Sequence, residues 1–137
     1  MTALTVTASK VAVIEAWETM TLPAAENINA GQYIRLDTNG KFALGNATTS
    51  GEVGNGGAIA LSPVKAGYAV TGLRRGLLEV GDAVSSLNIG AAVYLNDTDG
   101  VLGDAAGTVS TVVGRVYPMW GGAAGTADKV IRIDMSA

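Results

Sequence analysis

Short apolar runs separated by glycines and polar turns repeat along the whole chain, and this pattern predicts a protein built of strands. Several runs alternate apolar and polar residues, as half-buried strands do. Near the C-terminus, Ile131 and Ile133 share one face, while Arg132 and Asp134 share the other. The candidate strands are Val11–Trp17, Gln32–Asp37, Lys41–Leu44, Ala58–Leu61, Tyr68–Gly72, Gly76–Val80, Ala92–Asn96, Val112–Tyr117 and Lys129–Met135. No stretch has the period of a three-turn amphipathic helix, so we expect one helical turn at most, at Pro23–Glu26.

An internal repeat groups these strands into two units. The segment Ile28–Asp37 recurs 59 residues later as Leu87–Asn96, and a turn follows each copy, at Thr38–Gly40 and at Thr98–Gly100. Asn-Gly and Asp-Gly are strong hairpin signals because both central residues of a type I′ turn need positive φ. The repeat therefore predicts two related β-units within one domain.

The two copies also predict which residues face inward. The expected inward set is Ile34 and Leu36 in the first copy and Val93 and Leu95 in the second. Gly31 and Gly90 stand just before a strand, where we expect positive φ. The loop Thr48–Gly57 has the most flexible composition. The sequence thus predicts an all-β fold: a small β-barrel, β-tulip or sandwich of short antiparallel strands with an extended N-terminal arm. Residues 1–23 would form the arm and first strand, and residues 24–137 the β-barrel body.

Composition narrows the classes of function. The 137 residues are enough for one domain with its own core. With 9 basic and 12 acidic residues, the net charge of −3 argues against a nucleic-acid partner. The chain has no Cys and no His, which excludes disulfides, thiolate metal sites and the usual catalytic triads. No apolar run reaches 18 residues and no secretory signal is visible, so we expect a soluble protein without membrane contact, made in a cytoplasm.

The candidate chemical motifs are each better explained by turns and strands. The glycine-rich Gly51–Gly57 lacks the Gly-Lys-Ser/Thr ending of a phosphate-binding loop. Asn96–Gly100 resembles half of a calcium loop but lacks the downstream glutamate. Glu15 and Glu18 would point to opposite faces of a strand, which is poor geometry for a catalytic pair. We therefore expect no enzyme activity: no catalytic residue, no cofactor, no metal and no small-molecule substrate.

Three other features suggest contact with a protein partner, and each has a plainer alternative. The doublet Arg74-Arg75 is either a solvated pair or a contact to an acidic surface. The stretch Tyr117–Trp120 is either a core plug or an exposed anchor. Residues 1–10 form either a frayed tail or an arm that adds a strand to a neighbour's sheet. The expected contact residues are Thr2, Leu4, Val6, Val11, Val13, Trp17, Arg74, Arg75 and Trp120.

Five segments resemble small capsid decoration proteins of tailed bacteriophages. They are Lys65–Val80, Ile89–Leu95, Asp99–Leu102, Val113–Val116 and Val130–Ile133. The resemblance extends over about 24–135 and concerns the fold more than any set of functional residues. It implies a compact β-barrel or β-tulip without enzymatic chemistry.

The resemblance further implies a structural role in a virion. Such proteins bind the outer surface of the expanded capsid, usually as trimers at three-fold or quasi-three-fold sites, and cement neighbouring capsomers. The expected partners are the major capsid protein and two further copies of the chain. The expected location is the outer capsid surface, after synthesis in the host bacterial cytoplasm. Two alternatives remain open: a base domain of a head or tail fibre, and a carbohydrate-binding β-module.

Overall fold

Nearly all of the regular secondary structure in the described chain is β-strand. The computed structural model describes residues 3–118 and 129–135. Its strands are β1 (Val11–Pro23), β2 (Tyr33–Leu36), β3 (Phe42–Leu44), β4 (Gly57–Ala60), β5 (Ala69–Val80), β6 (Ala92–Leu95), β7 (Leu102–Gly103), β8 (Val112–Pro118) and β9 (Lys129–Asp134). The helical elements in this part of the chain are a 3₁₀ turn, Ala8–Lys10, and the short helix α1, Ser50–Val53. The predicted all-β class is confirmed.

The strands form one antiparallel sheet that curls into a half-barrel. Eight of the described strands follow the order β3-β2-β4-β5-β9-β8-β6-β7, and β1 pairs with β5 beside them. The order is symmetric about the contact between β5 and β9. It therefore divides into two four-strand units, β2 to β5 and β6 to β9.

The strand pairing confirms the internal repeat. In the first unit Tyr33 pairs with Ile59, which pairs with Leu73. In the second unit Ala92 pairs with Arg115, which pairs with Arg132. Tyr33 and Leu73 each lie 59 positions before their counterparts, the spacing seen in the sequence repeat. Gly31 and Gly90 have positive φ values of 86° and 88°, as predicted.

The two units bury different faces, and this corrects the predicted inward set. The larger buried cluster combines both units: Tyr33, Ala47, Ile59, Leu73, Leu78, Val80, Val84, Val93, Leu95, Leu102, Val113, Val116, Ile131 and Ile133. A smaller cluster lies within the first unit: Ala24, Ile28, Ile34, Phe42, Ala58, Ala60 and Val70. Val93 and Leu95 face inward as predicted, but Ile34 packs in the smaller cluster. Leu36 is 36% exposed because β2 leaves the core at its end.

Three local predictions were wrong. Residues 23–26 form no helical turn, because Ala24 and Ala25 donate main-chain hydrogen bonds to the carbonyls of Tyr68 and Phe42. The candidates Tyr68–Gly72 and Gly76–Val80 are one strand, β5. No described residue other than glycine has positive φ, so the turn containing Asn39 is not type I′. Instead, the Asp37 carboxylate accepts hydrogen bonds from the backbone of Asn39 and Lys41.

The glycine-rich loop between β3 and β4 is ordered by helix α1. Thr49 caps this helix, its hydroxyl accepting a hydrogen bond from the backbone of Glu52. The hydroxyl of Tyr33 donates to the carbonyl of Val53 at 2.8 Å. A composition that predicts flexibility thus folds against the first unit through specific polar contacts.

Both ends of the strand order receive an extra segment. At one end Ala24 forms a bridge with Phe42 of β3. At the other end Ala3 forms a bridge with Gly103 of β7, and the backbone of Leu4 donates to the carbonyl of Leu102. Covering exposed strand edges in this way limits unwanted pairing with other chains.

Candidate partner-binding site

Strand β1 is the most exposed element of the sheet. Among the described residues it pairs with β5 alone, so one of its edges has no strand partner. Three large apolar side chains on β1, Val13, Ile14 and Trp17, are 42–47% exposed. A long strand with a free edge and exposed apolar side chains is a favourable surface for another polypeptide.

The pairing of β1 with β5 depends on close backbone contact. The register shifts at three places along β1, between Val13 and Glu15 and on both sides of Glu18. Gly76 of β5 lies opposite Ala16, and a Cβ atom there would stand 2.2 Å from the carbonyl oxygen of Glu15. Glycine is therefore required at position 76 because both the contact and its φ of 152° exclude a side chain. The bulges re-aim the side chains around Trp17.

An arginine links β1 to the second unit. The guanidinium carbon of Arg132, on β9, lies 5.5 Å from the centroid of the Trp17 ring and 5.7 Å from that of Tyr117, on β8. Tyr117 is 40% exposed. Cation–π contacts at these distances favour a fixed orientation of the guanidinium. We call the surface formed by Trp17, Arg115, Tyr117 and Arg132 the arginine face.

The members of the arginine doublet occupy different environments. The side chain of Arg74 is 13% exposed, its Nη2 donates to the carbonyl of Met135 at 2.7 Å, and its Nε lies 3.5 Å from Glu18. Arg75 has a side chain that is 43% exposed, with Nε 3.6 Å from Asp134. Arg74 therefore anchors β1 and the C-terminal segment to β5, whereas Arg75 is available at the surface.

The predicted contact residues of the N-terminal segment divide between the core and the surface. Leu4, Val6 and Val11 are half-buried and pack against the larger cluster of their own chain. Val13 is exposed on β1. Thr2 and Trp120 lie outside the described residues. The segment thus has an intramolecular partner in β7, which the sequence did not reveal.

Among the described residues, two ionisable groups have a pKa that is perturbed by their surroundings. Burial raises the pKa of the Tyr33 hydroxyl to about 12, although the nearby Arg74 and Arg35 charges oppose the shift. Hydrogen bonds from the backbone and hydroxyl of Thr108 lower the pKa of the Asp97 carboxyl. Both groups make structural hydrogen bonds, Tyr33 to the α1 loop and Asp97 to a neighbouring turn.

The described residues contain no grouping of three or more Asp, Glu, His or Cys side chains suited to a metal ion. No described helix has the length and apolar character needed to cross a membrane.

A cavity of about 180 Å³ lies beside the α1 loop, lined among others by Tyr33, Gly57, Arg74 and Met135. The Arg74 side chain at its wall already bonds to the chain itself.

Sequence reasoning singled out Trp17 but missed its partner Arg132. The alternation in β9 places Arg132 on the polar face. Tyr117 belongs to the stretch Tyr117–Trp120, which the sequence leaves as either a core plug or an exposed anchor. Their meeting depends on the register of β1, β5, β9 and β8, which brings distant segments side by side. No local pattern carries that information.

Comparison of the sequence with protein-family models found no match, and a search of curated proteins also found none.

Proposed function

We propose that the protein is a structural component of a phage virion that binds the outer surface of the expanded capsid. It would contact the major capsid protein, act as a homotrimer at three-fold or quasi-three-fold sites, and hold neighbouring capsomers together. The proposal starts from the sequence resemblance. The observation that carries it is the free edge and exposed apolar surface of β1 on an otherwise well-packed β-body.

The body has the properties that such a cement requires. The larger buried cluster joins both units, so the sheet behaves as one rigid element. A rigid surface loses little conformational entropy when it binds. Many copies, each with a modest contact, would together stabilise a shell strongly. A protein that binds the expanded state and not the unexpanded one shifts the equilibrium toward expansion.

Sedimentation of the purified protein with bare phage heads tests this proposal. We expect co-sedimentation with expanded heads, saturating near one copy per capsid subunit, and none with unexpanded shells. Equal binding to both shell types would show that the protein does not recognise the expanded lattice. Absence of binding to either, by correctly folded protein, would contradict the proposed function.

A variant of β1 tests the surface that carries the proposal. Trp17→Ala removes the largest exposed side chain of β1, and we expect about tenfold weaker binding because tryptophans often dominate interface energies. Tyr68→Ala is the matched control, since Tyr68 is 68% exposed but lies outside β1. Equal loss in both variants would argue against a specific role of β1.

A carbohydrate-binding module would need aromatic rings open to a sugar. Among the described residues, Trp17 and Tyr117 are exposed aromatic side chains on one face, but the guanidinium of Arg132 lies over both rings. A glycan array tests this alternative directly. Binding of a defined glycan, abolished by Trp17→Ala, would favour it over the capsid role.

A further inference from the structure

The second unit leaves open a face that the first unit buries. The cross-strand row Tyr33–Ile59–Leu73 of the first unit packs in the larger core. Its counterpart in the second unit is the row Ala92–Arg115–Arg132, which lies at the surface. This row is therefore apolar and buried in the first unit, whereas in the second unit it holds two arginines, of which Arg115 is exposed and Arg132 half-buried.

Two arginines face each other in this row. Arg115 and Arg132 are direct partners across β8 and β9, so their side chains lie on the same face of the sheet. Like charges directly opposite each other in a sheet destabilise the pair. An anionic group between them would remove this repulsion.

Existing contacts leave the two guanidinium groups with unused donors. Arg115 donates from Nη1 to the carbonyl of Gly90 at 3.1 Å. The guanidinium carbon of Arg132 lies within 6 Å of the centroids of the Trp17 and Tyr117 rings, and its Nη1 is 3.7 Å from Asp134, a distance too long for a hydrogen bond. Each guanidinium has five N–H donors. The cation–π contacts to both rings restrain the Arg132 side chain, and a guanidinium can form two parallel hydrogen bonds to a carboxylate.

A cleft lies beside these arginines. Its volume is about 200 Å³. It is lined by Val112, Gly114, Arg115, Arg132 and Asp134. Asp134 supplies the negative charge in the lining, and it also faces Arg75 at 3.6 Å. The cleft is therefore lined by two arginines and one carboxylate, a net charge of +1, although the chain as a whole is acidic.

We propose that the arginine face is the docking site for an acidic side chain of the partner protein. An aspartate or glutamate from an extended segment of the capsid surface would enter the cleft and pair with Arg115 and Arg132. Apolar groups beside it would contact Trp17, Tyr117 and Val112, whose exposed fractions are 40–47%. This inference rests on the proposed function for the identity of the partner and on charge complementarity for its chemistry.

Charge reversal tests the cleft on expanded phage heads. We expect Arg115→Glu to weaken binding by about tenfold or more, because a like charge replaces an attraction. The fold should be retained, since Glu at position 115 would pair with Arg132 and relieve the repulsion. Lys41→Glu is the matched control: it makes the same change of charge at an exposed position in the turn between β2 and β3. Equal occupancy of Arg115→Glu and Lys41→Glu at several salt concentrations would overturn the proposal.

Arg132→Lys separates charge from geometry. Lysine keeps the positive charge but cannot stack or bind a carboxylate through two parallel bonds in the same way. We expect a binding loss of several-fold at unchanged thermal stability of the folded chain. Full binding by Arg132→Lys, together with full binding by Arg115→Glu, would exclude the cleft.

A second probe makes the result independent of the phage head. We expect the wild-type protein to be retained on immobilised poly-L-glutamate at low salt, despite its net charge of −3, and Arg115→Glu to be released. If heads are not bound but this difference holds, the cleft recognises carboxylates and the proposed capsid role fails. If heads are bound but neither probe distinguishes the variants, the capsid role stands and the cleft proposal fails. If Arg115→Glu instead changes the oligomeric state in analytical ultracentrifugation, the face joins copies of the chain and the assignment to a capsid partner is overturned.

Discussion

Arg75 and Asp134 face each other where β5 meets β9, and each holds the same position within its own unit. They are 59 residues apart, the spacing of the repeat. The pair therefore marks the centre about which the two units are related. The next backbone contact continues this pairing, since Met135 donates to the carbonyl of Arg74 at 2.9 Å.

The exposed position of this ion pair predicts that it contributes little to the free energy of unfolding. The side chains of Arg75 and Asp134 are 43% and 37% exposed, and their closest charged atoms are 3.6 Å apart. Because both side chains keep more than a third of their surface in water and their closest charged atoms are beyond hydrogen-bond distance, a double-mutant cycle with Arg75→Ala and Asp134→Ala should give a coupling below about 1 kcal/mol. Urea unfolding at low and high salt measures it. A coupling above about 2 kcal/mol that persists at high salt would mean that the pair is shielded from water.

Gly76→Ala should destabilise the protein strongly. The added Cβ would meet the carbonyl oxygen of Glu15 at 2.2 Å, and the backbone φ of 152° is unfavourable for alanine. We expect a loss of about 3 kcal/mol or more in the free energy of unfolding, because the contact is with backbone that cannot move aside.

Gly90→Ala is the matched control for this loss. Gly90 has a φ of 88°, but no other atom lies within 4 Å of the site of its missing Cβ. For Gly90→Ala we expect the free energy of unfolding to fall by only about 1–2 kcal/mol, which is the cost of placing an alanine at positive φ. Equal losses in the two variants, measured by urea unfolding, would show that the contact between β1 and β5 is not the determining factor.

Tyr33 should make the protein sensitive to alkali. Its pKa is raised from 10.0 to about 12, so between these values the folded state holds a proton that the unfolded state releases. The stabilisation is complete below pH 10 and is lost as the pH rises toward 12. We expect a decrease of about 2–3 kcal/mol in the free energy of unfolding over this range.

Tyr33→Phe separates this contribution from general alkaline denaturation. The variant loses the hydrogen bond to Val53 and should be about 1 kcal/mol less stable at neutral pH. Its stability should decline less between pH 10 and 12 than that of the wild type. Tyr68→Phe, at an exposed tyrosine, should follow the wild-type profile. A Tyr33→Phe profile parallel to that of the wild type would contradict the assignment.

The N-terminal segment should contribute to stability through its inward residues. Leu4 packs against the larger cluster, whereas its neighbour Thr5 is exposed. We expect Leu4→Ala to lower the free energy of unfolding by about 1–2 kcal/mol, because apolar contact is lost, and Thr5→Ala to have little effect. Thermal unfolding distinguishes the two. If both variants match the wild type, the segment does not pack on β7 in solution.

Much of the fold could be predicted because its signals are local. Alternating runs located most strands, and the repeat indicated two units because it includes both a strand and the turn that follows. The two candidates Tyr68–Gly72 and Gly76–Val80 were not joined into β5, because the sequence does not show that the glycine at position 76 is needed for close contact with the backbone of Glu15. The turn at Asn39 was predicted from its Asn-Gly pair, but the carboxylate of Asp37 favours another geometry.

The assignment of faces could not be predicted from periodicity alone. An alternating pattern shows that a strand has two faces but not what covers each one. Ile34 and Val93 occupy the same position in the repeat and are both buried, yet they belong to different clusters. Similarly, the alternation in β9 showed that Arg132 is on the polar face, while only the tertiary arrangement shows that Trp17 and Tyr117 lie beside it.

The unpaired edge of β1 also limits how many other strands one molecule can pair with through main-chain hydrogen bonds. In the described part of the chain, the two terminal strands of the sheet are already occupied, at Phe42 and at Gly103. Among the described strands, β1 therefore offers the one long edge without a strand partner, and pairing two such edges consumes both. Association of two copies through main-chain hydrogen bonds between their β1 edges would form a closed two-fold pair. A closed ring of three copies would consequently have to be held by side chains, which leaves the edge of β1 free for a different polypeptide.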